Sequence, residues 1–217
     1  MYENAGFASS EATNIMKRPE GMPEAATSTP TIEYEKDLVA RVLANDSRAF
    51  NEFYAAFVPS LYRFLYYAVG QNHAEAEDLL QETMLAALRS LERFQGNSRL
   101  STWLHAIAQH KVQDHFRSKQ RRDQYFADVE LEEVDSPQPL AEFQLEEARF
   151  VDVDELRRAL QQLPPHYRTV LVGKYIEGFS VSELAEIMSR SPKSVESLLT
   201  RSRQALRSAL LRMREQS

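Results

Sequence analysis

The sequence contains no cysteine and no long apolar run. Without cysteine there can be no disulfide bonds, thiolate zinc sites, iron–sulfur clusters or cysteine nucleophile, so apolar packing has to stabilise the fold. No apolar stretch approaches the ~20 residues that span a bilayer, and the beginning of the chain lacks the basic start and apolar core of an export signal. We therefore expect a cytoplasmic protein without a membrane-inserted segment.

The sequence also lacks the short motifs that carry enzymatic chemistry. We find no P-loop, dinucleotide fingerprint, nucleophile elbow or metal-ligand cluster. Asp78 and Glu82 lie one helical turn apart, but without a convergent histidine such a pair is typical of a polar helix face. His105, His110 and His115 recur at an interval that separates them by about 140° around a helix, which disfavours a shared metal. We expect no catalytic activity, no cofactor and no metal.

The charge of the chain is unevenly distributed. The formal net charge is −6, yet residues 36–122 carry +3 and residues 156–217 carry +6, while residues 123–155 hold 12 acidic side chains and 1 basic one. Local charge, not the total, governs contact with phosphates. Two basic blocks separated by an acidic connector are therefore compatible with nucleic-acid binding.

Apolar spacing predicts an all-α fold of two small helical domains joined by an acidic linker. The expected segments are a disordered tail, a first domain, the linker and a second domain: 1–33, 34–122, 123–152 and 153–213. As a free coil the linker averages only ~30 to 35 Å, and fully extended it reaches ~110 Å.

In the first domain, Asp46 is expected to cap a helix with one buried stripe, in which Pro59 should cause a kink or a restart. That stripe comprises Phe50, Phe53, Tyr54, Phe57, Leu61, Phe64, Leu65 and Ala68. A second stripe comprises Leu80, Met84, Leu88 and Leu91. In the second helix the polar residues Asp78, Gln81 and Glu82 face away from the stripe.

In the second domain, the pattern predicts a helix-turn-helix motif. Pro164 and Pro165 break one helix and start the next, whose buried side holds Val170, Leu171, Val172 and Ile176. Ser180 and Glu183 form a capping box that opens a short helix. A turn at Ser189 and Arg190 leads to a longer helix that begins at Pro192 and buries Val195, Leu199, Ser202, Leu206 and Leu210. Small polar and basic side chains near the start of that helix are suited to contact base edges.

These motifs, in this order, resemble bacterial sigma factors of the extracytoplasmic-function branch over about Tyr34–Arg212. The stretches that carry the resemblance are FNEFYAAFVPSLYRF from Phe50, AEDLLQETMLAAL from Ala76, STWLHAIAQHKVQDHFR from Ser101 and LPPHYRTVLVGKYIEGFSVSELAEIMSRSPKSVESLLTRSRQALR from Leu163. The resemblance implies a transcription initiation factor that binds core RNA polymerase and reads the −10 and −35 elements of promoter DNA.

The resemblance also implies roles for individual residues. Asp78, Gln81 and Glu82 match the surface that docks on the clamp helices of the polymerase, whose flap would hold the second domain. Residues matching those that capture and hold the opened −10 strand are Gln95, Asn97, Ser98, Arg99, Trp103, Lys111, Arg117 and Arg121. Those matching the −35 reader are Arg190, Lys193, Ser194, Ser197, Arg201 and Arg203. An anti-sigma partner is expected by the same resemblance, as is association with the nucleoid when the factor is active.

Several alternatives remain open at the level of sequence. Trp103 suits a helix core as well as a stacking platform. Ser189 stands where relatives often carry glycine, and Glu196 and Leu198 stand where cations are common, so the promoter sequence is open. The whole chain could instead be a stand-alone helix-turn-helix regulator, or a sigma-like decoy that binds polymerase without starting transcription.

Overall fold

The computed structural model describes residues 31–124 and 153–215, without the side chains of residues 120–124 and 153. These residues form helices and no strand, which confirms the all-α expectation. The α-helices are α1 (Ile32–Leu43), α2 (Ser47–Ala68), α3 (His73–Ser90), α4 (Leu100–Gln124), α5 (Val153–Gln161), α6 (Pro165–Tyr175), α7 (Val181–Ile187) and α8 (Pro192–Glu215), with a 3₁₀ turn at Leu91–Arg93. Most of the expected tail and linker lies outside the described residues, and no described helix has the length and apolar character needed to cross a bilayer.

Helices α1 to α4 form an N-terminal group whose helix starts follow from the sequence. The Asp46 carboxylate caps α2 as expected, accepting the N–H of Arg48 at 2.8 Å. Helix α2 then continues through Pro59, so the expected restart there is wrong. Proline removes one backbone hydrogen bond at a cost of ~3 kcal/mol, which the burial of Phe53 and Leu61 on either side of it offsets.

The buried face of α2 is narrower at its start than predicted. Phe53, Leu61 and Leu65 are buried, but Phe50 is 39% exposed and Tyr54 is 50% exposed. Ala49 and Phe53, each one residue before an exposed ring, are fully buried. Periodicity identifies the apolar side of a helix, but not which edge of that side a neighbouring helix covers.

Helices α5 to α8 form a C-terminal group that contains the predicted helix-turn-helix motif. Ser180 and Glu183 make the capping box of α7 as expected, and the Ser191 hydroxyl accepts the N–H of Ser194 at 3.2 Å at the start of α8. Ser189 adopts a φ of 52° in the turn between α7 and α8. Ile176 was expected to be buried and is exposed, because α6 ends at Tyr175 and Ile176 only caps it.

The two helical groups pack against each other, which the sequence did not indicate. Helix α2 contacts α6, and α4 contacts α7. Glu177, which follows α6, forms an ion pair with Arg63 of α2. The Arg168 guanidinium donates two hydrogen bonds to the carbonyl oxygen of Ala68, at 3.2 and 2.9 Å, near the end of α2. The groups therefore share one interface in this structure.

Candidate functional site

The polar face of α3 lies as the sequence predicted. Asp78, Gln81 and Glu82 are exposed, and Glu82 accepts a hydrogen bond from Lys111 Nζ at 3.2 Å. Leu85, which was not among the predicted site residues, shares this face and is 54% exposed. Its position one turn after Gln81 is the signal that could have identified it. The face thus offers carboxylates beside an apolar side chain.

The loop before α4 is held by a buried carboxylate. Glu35 of α1 is buried and accepts the backbone N–H of Leu100 at 2.7 Å, which caps the start of α4. Gly96 has a φ of 72°, and a Cβ there would overlap the Lys36 side chain. Nothing in the sequence indicated this role of Glu35. A residue that caps a helix from a distant part of the chain leaves no pattern of local spacing in the sequence. The loop is therefore fixed from α1.

Within that loop, the predicted DNA contacts differ in exposure. Gln95 and Asn97 are exposed, and Asn97 Nδ2 donates to Gln95 Oε1 at 3.2 Å. Ser98 is half-buried. Arg99 is also half-buried, and its Nε has no hydrogen-bond partner among the described residues. The loop presents polar side chains on a rigid base, as a pocket for an unstacked base requires.

Helix α4 carries the remaining predicted contacts to the opened strand. Trp103 is half-buried and packs edge-on against Phe94, with ring centroids 5.7 Å apart. Lys111 pairs with Glu82, and Arg117 pairs with Asp114 at 3.1 Å. Arg121 belongs to α4, but its side chain lies outside the described part of the structure. Both described ion pairs are partly or largely solvated, so a phosphate could replace the carboxylate at little cost.

Helix α8 presents a basic and polar face at the surface. Arg190, Lys193, Ser197 and Arg201 are exposed, whereas Ser194 and Arg203 are half-buried. His166 lies near this face: burial lowers its pKa, and the charges of Arg190 and Arg201 lower it further. The exposed cations Arg190, Lys193 and Arg201 give this face a positive charge, as contact with a phosphate backbone requires.

One expectation about α8 is wrong. Leu198 was interpreted as the loss of a surface cation, but its side chain is only 1% exposed and lies in the core. It follows Val195 by three residues on the buried side of the helix. Glu196, in contrast, is exposed beside the basic face. Only Glu196 therefore alters the charge that α8 presents.

The structure brings α7 to the start of α4. Thr102 Oγ1 donates to Glu183 Oε1 at 3.5 Å. Burial raises the pKa of Glu183, but hydrogen bonds from Ser180 and the charge of Arg99 lower it below its ordinary value. A carboxylate of the C-terminal group thus lies beside the loop predicted to bind the −10 element, while the face of α8 stays open.

The described residues, 31–124 and 153–215, contain no group of three histidine, aspartate or glutamate side chains placed to hold a metal ion. Glu75 instead contacts His115 at 2.9 Å and Lys119 at 3.3 Å. Burial raises the pKa of Glu75, and these two neighbours lower it to a net value below its ordinary one. This cluster ties α3 to α4.

Models of two protein families match the chain. Residues 53–122 match Sigma-70 region 2, and residues 154–206 match Sigma-70, region 4. These segments correspond to most of the N-terminal and C-terminal helical groups.

Individual proteins are similar along most of the chain. The ECF RNA polymerase sigma factor SigW of Bacillus subtilis is 33% identical over 81% of this chain and 96% of its own length. BldN of Streptomyces coelicolor, also an ECF sigma factor, is 32% identical over 75% of this chain and 60% of its own length.

Two solved complexes are similar in fold. The sigma factor RpoE of Bartonella quintana, in complex with the anti-sigma factor NepR, has a TM-score of 0.58 at 25% identity, over 74% of this chain and 96% of that one. CnrH, in complex with the cytosolic domain of CnrY, has a TM-score of 0.55 at 27% identity, over 82% of this chain and 97% of that one.

Proposed function

The chain belongs to the extracytoplasmic-function family of RNA polymerase sigma factors, and we propose how its two regions divide the work of promoter recognition. It is a transcription initiation factor that binds core RNA polymerase and directs it to promoters. The observation that carries this conclusion is the ordered match to regions 2 and 4. A stand-alone helix-turn-helix regulator would need only the second of them, and neither it nor the decoy is favoured.

Region 2, within residues 34–122, makes the main contact with the polymerase. The exposed face of Asp78, Gln81, Glu82 and Leu85 docks on the clamp helices, with carboxylates around one apolar side chain. Such a composition fits an interface in which a central apolar contact is surrounded by polar groups. Region 4, within residues 153–213, contacts the flap.

The loop before α4, together with α4, reads and holds the opened −10 element. Gln95, Asn97 and Ser98 contact the extruded base, and Arg99, Trp103, Lys111, Arg117 and Arg121 hold the strand. Aromatic and cationic side chains are the groups that bind single-stranded DNA without a duplex to follow. Capping of α4 by Glu35 supports this proposal, because it fixes the loop before DNA arrives.

Region 4 reads the −35 element as duplex. The start of α8 enters the major groove, where Ser194, Ser197 and Lys193 reach base edges while Arg190, Arg201 and Arg203 contact phosphates. The exposed basic face of α8 supports this assignment. Both elements are thus read by one chain.

We also propose a protein partner and a cellular location for this chain. RpoE and CnrH are found in complexes with NepR and with the cytosolic domain of CnrY, and we propose an anti-sigma partner for this chain as well. The chain has no catalytic activity of its own and works in the cytoplasm, at the nucleoid when it is active. We propose in addition that the acidic linker connects the two regions and that the N-terminal tail is a regulatory or proteolytic handle.

In vitro transcription on a promoter library tests the function. Purified core polymerase with this chain should start transcription at a defined set of promoters sharing −10 and −35 elements. Substituting Asp78 and Glu82 by lysine should abolish that activity, whereas Arg89→Glu, also exposed on α3, should retain it. Initiation no more selective than that of core enzyme alone contradicts the proposal.

A further inference from the structure

Helix α1 lies against the loop that is proposed to capture a base of the −10 element. Glu35 of α1 caps α4 at Leu100, directly after this loop. Gly96, in the middle of the loop, lies against the side chains of Ile32 and Lys36. A Cβ at Gly96 would overlap Lys36 Cε and lie 2.9 Å from Ile32 Cγ2 and 3.2 Å from Lys36 Nζ. Helix α1 therefore forms one wall of the loop.

The ammonium group of Lys36 is available for a ligand. Its side chain is exposed, and the part of the chain that the structure describes offers it no ion-pair partner. Two acids of the same helix are engaged elsewhere, since Glu35 caps α4 and Asp37 pairs with Arg41 at 2.8 Å. Glu33, the remaining acid of α1, is exposed to solvent. Lys36 can therefore donate hydrogen bonds to an incoming anion.

The position of this cation fits the path of a strand whose base has been extruded. Gln95 and Asn97, which are proposed to contact that base, flank Gly96, and both are exposed. A base rotates out of the stack about its own backbone, so its phosphate stays at the mouth of the pocket that receives it. The φ of 72° at Gly96 and its lack of a Cβ let the loop backbone approach α1 closely. The ammonium group of Lys36 thus lies beside the base-capturing side chains.

We propose that α1 is part of the −10 site and that Lys36 Nζ binds a phosphate of the opened strand, next to the extruded base. This inference rests on the proposed function, and it adds a contact outside residues 53–122, which match the model of region 2. A lysine suits this contact because its ammonium group is a compact point charge that donates and does not accept. Such a contact positions the strand without reading its sequence.

Binding of forked promoter DNA to the holoenzyme tests the contact. The probe is a duplex that is single-stranded over the −10 element, with a sequence taken from the promoters that the holoenzyme selects in transcription. Lys36→Ala should weaken binding about tenfold, as the loss of one charge-assisted hydrogen bond predicts. The slope of log affinity against log salt concentration should fall by about 0.7, the value for one contact with a single strand. Arg48→Ala removes one exposed positive charge at the start of α2 and should change neither quantity.

Uncharged phosphate analogues identify the partner of Lys36. Methylphosphonate links replace the phosphates of the single-stranded −10 segment one at a time. At one position the replacement should weaken binding by the parent about tenfold and binding by Lys36→Ala hardly at all, because two changes that remove the same contact are not additive. Arg48→Ala should lose affinity at that position as the parent does.

Two results overturn the proposal. One is an unchanged affinity of Lys36→Ala for the probe. The other is a weakened variant that stays as sensitive as the parent to every methylphosphonate, which would place Lys36 against an acidic group of the polymerase instead of DNA. Failure of the parent to select any promoter would count against the proposed function itself, so the two failures are distinguishable.

Discussion

At the scale of single residues, His105 is a buried titratable group of α4 that contacts Phe179 of the C-terminal helical group. Burial lowers its pKa, although the Ser101 carbonyl and the Glu177 carboxylate act in the opposite direction. Arg63, also facing it, favours the neutral ring. The pKa of His105 is thus lower in the folded chain than in the unfolded chain. As the pH falls, His105 of the unfolded chain therefore binds its proton first.

The stability of the fold should therefore decrease as the pH falls below the ordinary histidine value of ~6.5. The expected slope from His105 is at most about 1.4 kcal/mol for each pH unit. Denaturant unfolding at a series of pH values between neutral and mildly acidic should give a shallower dependence for His105→Gln than for the parent. His166, whose pKa is also lowered, stays in both proteins, so an unchanged slope in the variant rules out this account of His105.

Arg201 offers a second test at the residue scale, because it is exposed on the basic face of α8. If it contacts a phosphate, Arg201→Ala should weaken binding of the holoenzyme to all its promoters by a similar factor. The slope of log affinity against log salt concentration should fall by about 1.

The matched control for that measurement is Arg212→Ala, also exposed and three turns farther along α8. Like Arg201→Ala, this substitution removes one positive charge, but at a position far from the start of α8. Equal salt slopes for the two variants would show that Arg201 acts only through the general charge of region 4.

At the scale of elements, the turn between α7 and α8 carries a strained residue. Ser189 has a positive φ of 52°, a conformation that glycine adopts without a steric cost. Ser189→Gly should therefore raise the free energy of unfolding by up to about 1 kcal/mol, and Ser189→Ala, which keeps the Cβ that causes the steric cost, should change it little. Thermal unfolding of both variants checks this, and a lower stability for the glycine variant contradicts it.

Helix starts were predictable from the sequence because their causes are local. Asp46, Ser180 with Glu183, and Pro192 act on backbone groups within one turn, and the structure has them as expected. The prediction that Leu198 replaces a surface cation was wrong because it followed the position of Leu198 in the family motif. The three-residue spacing of Leu198 from Val195 instead indicates the buried side of the helix. The cap that Glu35 supplies to α4 could not be predicted, because those residues meet only in the folded chain.

At the scale of the whole molecule, the sequence indicated two basic regions joined by an acidic linker. It did not indicate that the two regions contact each other. Glu177 and Arg63 are 114 residues apart in the sequence, and Arg168 and Ala68 are 100 residues apart, yet each pair is in contact. No periodicity relates such positions. The lengths expected for the linker, ~30 to 35 Å as a free coil and ~110 Å when extended, do indicate that the two regions can lie far apart only when the linker is extended.

The central claim is that promoter reading requires regions 2 and 4 to separate, and a reversible cross-link tests it most directly. In the cysteine-free chain, Thr102→Cys and Glu183→Cys can be joined by a short bis-methanethiosulfonate reagent, which forms a reducible disulfide with each thiol and releases methanesulfinate, with each single variant treated alike. Holoenzyme made with the cross-linked factor should fail to initiate at promoters, and reductant should restore initiation to the level of the treated single variants. Full promoter-selective initiation by the cross-linked factor would contradict the account.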